Sequence, residues 1–302
     1  MNANPDRDWI QQGLRPWIPS IWNNSADAFL AATKVTPTGD PASYDYAMQT
    51  PEAYQWQKAM EDELKSLQEN GTWTLVDLPD GRTTVKNRWV YLTKRDTKGD
   101  IIRYKARLIA KGFTQTASLD YEETFAPVAR LDSLRLLLAI AAVFDWEVHH
   151  VDIKTAYLNG HLNEEIYMDQ PRGFEIQWEE KKACQLLKAI YGLKQAGRQW
   201  HEHLQRSLTD YGYKKLVSCD ASIFFKHHDR GGRITIILVY VDDIAIFGSL
   251  TDMEDVKEFI SSQYKYTDLG EIEHFLGLHI THDRSKKTLS IDQSHYIQHM
   301  LN

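Results

Sequence analysis

The stretch "VYVDDIAIFG", residues 239–248, decides how this chain reads. Asp242 and Asp243 stand side by side in an otherwise apolar run, with "ITIILVY" before them and "IAIF" after. A carboxylate buried in apolar surroundings is costly unless it is paired or holds a cation. Two strand-like runs joined by two residues predict a β-hairpin with the aspartates at its tip. Two-residue hairpin turns favour Asn-Gly or Asp-Gly, because φ must be positive there, and Asp-Asp suits them poorly. Adjacent like charges add a repulsion that a divalent cation would relieve. The dipeptide alone leaves a solvated hairpin tip as the alternative to a metal site.

Holding two metal ions takes a third carboxylate. Asp152, in "HHVDIKTAYLNG" (149–160), ends an apolar strand just after a predicted buried helix, and it precedes Asp242 by 90 residues. The two can meet only through the tertiary fold. Three carboxylates on two neighbouring strands would suit two Mg²⁺ ions about 3.5–4 Å apart. Mg²⁺ takes a few carboxylates together with water and substrate phosphates, which serves in-line phosphoryl transfer. His149 and His150 lie close by but are poor Mg²⁺ ligands, and they read as structural.

The chain has 302 residues and a net charge of −7, and its longest apolar runs are "LLLAIAAVF" (136–144) and "ITIILVYV" (234–241). Both runs are far too short to cross a bilayer as a helix. The opening "MNANPDRDWI" lacks a basic stretch followed by an apolar one, so it does not read as a secretory signal. Only Cys184 and Cys219 are present, which suits a reducing, intracellular setting. The negative balance argues against a nucleic-acid partner, but its distribution does not. Ten Lys or Arg lie between Arg82 and Lys111, opposed only by Asp96 and Asp100. Such a stripe tracks phosphates or simply solvates a hairpin face.

Residues 1–40 show no clear periodicity and read as a poorly specified leader. Thr50 is expected to cap a helix with Pro51 in its first turn, followed by Trp56, Met60, Leu64 and Leu67 at helical spacing. "TWTLVDL", "RWVYLTKR" and "IIRYKARLIA" read as strands, the last two joined by the turn-rich "DTKGD". "SLRLLLAIAAVFDW" predicts a buried helix capped by Ser133, and "EVHHVDI" a strand after it. A helix carrying Trp200, Leu204, Leu208 and Tyr211 on one face follows. Two strands, "SIFFKHH" and "RITIILVYV", come next, and "DMEDVKEFISSQY" has helical spacing. The strand-like "EHFLGLHI" and "TLSIDQ" and the start of a helix at "SHYIQHMLN" complete the pattern. This order of elements predicts an α+β fold with an antiparallel sheet.

Six segments in this order resemble the reverse transcriptases of copia-type LTR retrotransposons. They are "KARLIAKGFTQ" (105–115), "DYEETFAPVARLDSLRLLLAIAA" (120–142), "VDIKTAYLNG" (151–160), "YGLKQAGRQW" (191–200), "YVDD" (240–243) and "DLGEIEHFLGLHI" (268–280). The resemblance covers residues 41–302 and implies a right-hand polymerase. Fingers would span about 72–131 and 161–190, the palm about 132–160 and 191–282, and the thumb would begin at 283–302.

The resemblance also implies roles. Asp152, Asp242 and Asp243 would be catalytic metal ligands for two Mg²⁺ ions, or Mn²⁺ in substitution, with the Ile153 carbonyl also facing a metal. Lys105 and Arg107 would touch the triphosphate, and Tyr157 would lie beneath the sugar of the incoming nucleotide. Tyr191, Gly192 and Gln195 would border nucleotide and template. Phe275, Leu276 and Gly277 would belong to the primer grip, and Lys265 would be a candidate proton donor to the leaving pyrophosphate. The implied activity is RNA-directed DNA polymerisation from dNTP on a primed RNA or DNA template. The implied partners are other Pol domains, such as integrase and RNase H, and no membrane. The implied setting is a cytoplasmic retrotransposon particle with a nuclear phase.

Two departures stand out. Gly197 occupies a position where the family usually has Pro, and glycine weakens a helix by about 1 kcal/mol. The chain also ends soon after "FLGLHI", so the thumb is expected to be incomplete and the chain a piece of a longer polyprotein. Two rivals follow: a catalytically silent, nucleic-acid-binding remnant, and another two-metal enzyme such as a nuclease. The latter leaves Tyr157 and the basic hairpin without a role.

Overall fold

The computed structural model describes residues 36, 38–96, 99–228, 232–284, 286, 288–294 and 297. Residues 1–35 of the expected leader, and most of the helix expected after residue 293, lie outside the described residues. In chain order the elements are α1 (Tyr44–Ala47), α2 (Ala53–Glu69), β1 (Trp73–Val76), β2 (Asn87–Arg95), β3 (Ile101–Ala110), α3 (Leu131–Phe144), β4 (Glu147–Ile153), β5 (His161–Met168), β6 (Ala183–Lys188), α4 (Ala196–Asp210), β7 (Lys214–Lys215), β8 (Ile223–His227), β9 (Ile234–Tyr240), β10 (Asp243–Gly248), α5 (Leu250–Gln263), β11 (Tyr266–Glu271), β12 (His274–Phe275), β13 (Leu278–Asp283) and β14 (Thr288–Asp292). All pairings between these strands are antiparallel, so the α+β expectation holds. No helix among the described residues is long and apolar enough to cross a membrane.

The chain divides into two compact units. One holds Ala126–Ala156 and the chain from His201 onward. Its six-stranded sheet runs in the order β11-β4-β10-β9-β8-β7, and β12-β13-β14 form a second, smaller sheet. Period-2 alternation sets the two faces of the large sheet. Val148, Leu238, Ala245 and Phe247 join Leu134, Leu137, Leu138 and Ala141 of α3, with Phe275 and Leu278 of the small sheet, in one buried cluster. Ile237, Ile244 and Ile246 are buried as well, as are Met253, Val256 and Ile260 of α5.

Helix α3 departs from expectation in two ways. It begins at Leu131 behind Arg130, not behind Ser133. Its cap comes from far along the chain: Asp220 Oδ2 accepts from the Arg130 N–H at 3.1 Å and from the Ser133 hydroxyl at 2.6 Å. Burial alone would raise the Asp220 carboxyl. The bonds from Ser133, Ser222 and Arg130 outweigh it and hold the group below the usual carboxylate range. The helix also buries one face only, leaving Leu136, Val143 and Phe144 exposed, because the sheet covers one side of it.

The other unit holds the described residues up to Phe125 and Tyr157–Trp200. It contains the sheet β1-β6-β5 and the β2-β3 hairpin. Helix α2 buries Trp56, Met60 and Leu67 against Trp89, Tyr91, Ala106 and Leu108. It starts at Ala53 behind Glu52, two residues later than Thr50 and Pro51 suggest. The Thr50 hydroxyl instead donates back to the Ala47 carbonyl at 2.9 Å, which closes the preceding turn. Asp40 is buried and accepts the Thr93 backbone N–H at 3.0 Å, so the chain is already anchored to β2 at that point. Helix α4 carries the chain from this unit into the other, with the expected Trp200, Leu204 and Leu208 all buried.

Candidate active site

Asp152 is the last residue but one of β4 and Asp243 opens β10, and the two are direct cross-strand partners. Directly opposed residues share a face of the sheet, with Cβ atoms about 4.5–5.5 Å apart. Asp242 lies between β9 and β10, where its carbonyl accepts the Ile153 N–H at 2.7 Å. Asp152, Ile153, Asp242 and Asp243 are therefore gathered at one end of two adjacent strands.

The hairpin tip is shifted by one residue from the sequence expectation. Tyr240 pairs with Asp243, so the turn residues are Val241 and Asp242, and Asp243 belongs to the strand. Val241 takes φ +57°. Positive φ at the first turn position alone is the signature of a type II′ turn, normally a glycine site. A β-branched residue there is strained by roughly 1–3 kcal/mol. The tip is thus shaped by Val-Asp rather than Asp-Asp, which leaves Asp243 in the strand, opposite Asp152.

Both strand aspartates carry a counter-group. His150, two residues before Asp152 and on the same face, is buried and places Nε2 2.8 Å from Asp243 Oδ1. The His150 ring stands edge-on to Phe275, with centroids 5.1 Å apart. Lys154 extends its ammonium to Asp152 Oδ2. The Lys154 backbone N–H bonds the Lys265 carbonyl at 2.8 Å, which brings these two lysines to adjacent backbones. His149 faces elsewhere: Lys257 Nζ lies 2.6 Å from its Nδ1. Burial first, and Lys257 second, depress its imidazole.

The donors gathered here are carboxylate and carbonyl oxygens, the chemistry that Mg²⁺ or Mn²⁺ takes. Among the described residues, no three His, Cys, Asp or Glu side chains already converge as a metal-holding group.

Phe275, Leu276 and Gly277 form the tip of the β12–β13 hairpin. Leu276 and Gly277 both take positive φ, 51° and 76°, the pattern of a type I′ turn. Phe275 and Leu276 are buried in the core of their unit, so only Gly277 stands exposed at the tip.

The remaining candidates lie in the second unit and are described there by themselves. Arg107 on β3 stacks its guanidinium over the Tyr191 ring, 4.5 Å from the centroid. Tyr191 in turn meets Tyr157 edge-on at 4.8 Å. Gly192 follows with φ +91°, and a Cβ there would fall 2.0 Å from the Ala110 carbonyl oxygen, so no other residue fits without displacing the backbone. Lys105, two residues before Arg107, is half-buried. Burial first, then the charges of Arg107 and Lys94, lower its ammonium to about 8, against an opposing pull from Glu63. Gln195 is fully buried: its Nε2 donates to the Asp120 carbonyl at 2.7 Å and its Oε1 accepts from Gln115 at 3.0 Å. It holds two loops together instead of reaching the surface, where the resemblance would have it border nucleotide and template. Gly197 is the second residue of α4.

His150 read as structural in the sequence, and its bond to Asp243 bears that out, whereas Lys154 was not singled out. The signal for Lys154 was present: it lies two positions from Asp152, hence on the same side of an extended chain.

A family model described as "Reverse transcriptase (RNA-dependent DNA polymerase)" matches residues 70–302. The chain belongs to this family. Among curated reverse transcriptase relatives, the Retrovirus-related Pol polyprotein from transposon TNT 1-94 of Nicotiana tabacum is 40% identical over 293 residues, which cover 97% of this chain and 22% of that protein. The corresponding polyprotein from transposon RE1 of Arabidopsis thaliana is 37% identical over 257 residues, 84% of this chain and 17% of its own length. The likeness to copia-type elements therefore holds, and the chain spans about a fifth of the length of these relatives. The solved foamy viral protease-reverse transcriptase in complex with double-stranded DNA aligns with a TM-score of 0.40 and 14% identity, over 81% of this chain and 36% of that one. A likeness that loose carries no weight; the fold class rests on the strands and helices themselves.

Proposed function

We propose that this chain is the polymerase domain of a copia-type Pol polyprotein, an RNA-directed DNA polymerase that extends a primer 3′ end from dNTP on an RNA or DNA template. One observation carries the reading: Asp152 and Asp243 are paired in register, with Asp242 in the turn beside them. Membership of the reverse transcriptase family supports it. The palm, about 132–160 and 191–282, would be drawn mostly from the unit with the six-stranded sheet, and the fingers, about 72–131 and 161–190, from the unit with the basic β2–β3 hairpin, with the thumb beginning near residue 283.

Asp152, Asp242 and Asp243, with the Ile153 carbonyl, would hold two Mg²⁺ ions, or Mn²⁺ in their place. Bound there, the ions would supply charge stabilisation to the attacking 3′ oxygen and the departing pyrophosphate. The 3′ hydroxyl gives up its proton to water, its oxygen bonds to the α-phosphorus, and the bond from the α-phosphorus to the departing pyrophosphate breaks. Lys105 and Arg107 neutralise the triphosphate, Tyr157 tests the sugar, and Tyr191 and Gly192 shape the nucleotide's surroundings. Gln195 acts from the interior, by fixing the loops at Asp120 and Gln115. The Gly277 backbone at the exposed hairpin tip offers the primer contact. The setting is intracellular, a cytoplasmic particle with a nuclear phase, and integrase and RNase H domains of the same polyprotein are partners.

The test incubates purified protein with Mg²⁺, primed homopolymer RNA and the matching dNTP. Primer extension is expected. Cleavage of the template would mean a nuclease, and binding without either reaction would mean a silent remnant.

A further inference from the structure

Lys154 is half-exposed, and its ammonium sits on Asp152 Oδ2, an oxygen that the polymerase reading gives to a cation. A monovalent ammonium and a divalent ion cannot share that oxygen without strong repulsion. The lysine stem is long, and half of the side chain is in water, so release costs little. Asp243 is held differently: its partner His150 is buried and stands edge-on against Phe275. The two counter-groups therefore differ in kind: His150 is built in, while Lys154 can leave.

We propose that Lys154 occupies the place of a divalent cation at Asp152 in the metal-free protein, and that on metal binding it moves to the phosphates of the incoming nucleotide. The inference rests on the polymerase reading of the site. In the free protein the ammonium offsets the repulsion between Asp152 and its cross-strand partner Asp243. It also competes with metal, so a metal ion without nucleotide binds against a local counter-charge. Once displaced, the ammonium lies beside a bound cation that repels it. The strongest anion within reach is then the triphosphate, a point-charge partner of the kind lysine suits. Metal and nucleotide thus bind with positive coupling: each favours the position of Lys154 that the other needs.

The test compares the parent protein with Lys154→Met, which keeps stem length and removes charge, and with Lys154→Arg, which keeps charge. Mn²⁺ binding without nucleotide is followed by electron paramagnetic resonance, and KM for dNTP by primer extension. Lys154→Met should bind Mn²⁺ about 3–10-fold more tightly and show a KM for dNTP about 3–10-fold higher. Lys154→Arg should keep metal affinity near that of the parent. A purely structural lysine would not give tighter metal binding on its removal. Unchanged or weaker Mn²⁺ binding by a folded Lys154→Met, or an unchanged KM, overturns the inference and leaves the polymerase reading intact. A parent protein that binds no Mn²⁺ and extends no primer overturns both.

Discussion

Asp243 hydrogen-bonds His150 at 2.8 Å, and both side chains are buried on the sheet face that also carries Asp152. This bond fixes one oxygen of the Asp243 carboxylate. Replacing His150 by Leu leaves that carboxylate oxygen without its donor, which costs about 1–3 kcal/mol. His150→Gln, which can still donate, should recover much of the loss. Chemical-denaturation midpoints of the two variants check this, and equal losses in both would show that ring packing on Phe275 matters more than the bond.

Asp242→Asn should abolish primer extension and leave the fold intact. The residue stands in a turn, half-buried, and its backbone carbonyl, not its side chain, receives the Ile153 N–H. Losing one charge beside Asp243 relieves repulsion, so the metal-free melting temperature should hold level or rise. Near-normal extension by this variant would remove Asp242 from the catalytic set.

Lys105 gives a pH signature. Burial and the neighbouring Arg107 bring its ammonium to about 8, below the ordinary 10.5. Between those values the unfolded chain binds the proton and the folded one has released it, so the burial penalty, full below the folded value, fades as pH rises. Charge at the proposed triphosphate contact is lost over the same range. The kcat/KM for dNTP should therefore fall from pH 7 to pH 9, since that ratio reports groups of the free enzyme. Lys105→Arg, which stays charged, should flatten the profile, and an unaltered slope in that variant would place the titration elsewhere.

Tyr157→Ala should admit ribonucleotides. A pocket that only lacks a partner for a hydroxyl rejects it weakly, by about a hundredfold, whereas a wall rejects it by collision. Tyr157 is held edge-on by Tyr191, and Arg107 stacks on that same ring, so its position is braced. The dNTP-to-rNTP ratio of kcat/KM should drop by more than deoxynucleotide activity does. An unchanged ratio in an active variant would make Tyr157 a packing residue only.

Much of this was legible because period and chemistry agree. The strands from β8 to β10 alternate or run apolar as buried strands must, and three aspartates at strand ends have few structural excuses. Other features left no local trace. The cap of α3 comes from Asp220, 90 residues after Arg130, and no window along the chain contains both. The turn at Val241 breaks turn chemistry, with a β-branched residue at positive φ where glycine is preferred, so turn preference alone could not place it. Helix α3 read as wholly buried because its composition is apolar all round, yet composition does not say how many sides are covered. Gln195 lies in a surface-like polar stretch and is internal through bonds to loops about 75 and 80 residues away.

The placement of β4 in its sheet has a consequence for synthesis. Both of its neighbours, β10 and β11, are encoded after residue 240, while β4 itself ends at Ile153. At roughly 5–20 residues per second, the strand carrying Asp152 waits about 5–18 s after leaving the ribosome before Asp243 emerges to pair with it. The other unit is complete at Trp200 and can close first. An apolar strand is thus left without either sheet neighbour while about 90 further residues are made, so codon tempo and chaperone supply over residues 154–243 bear on the yield of folded protein.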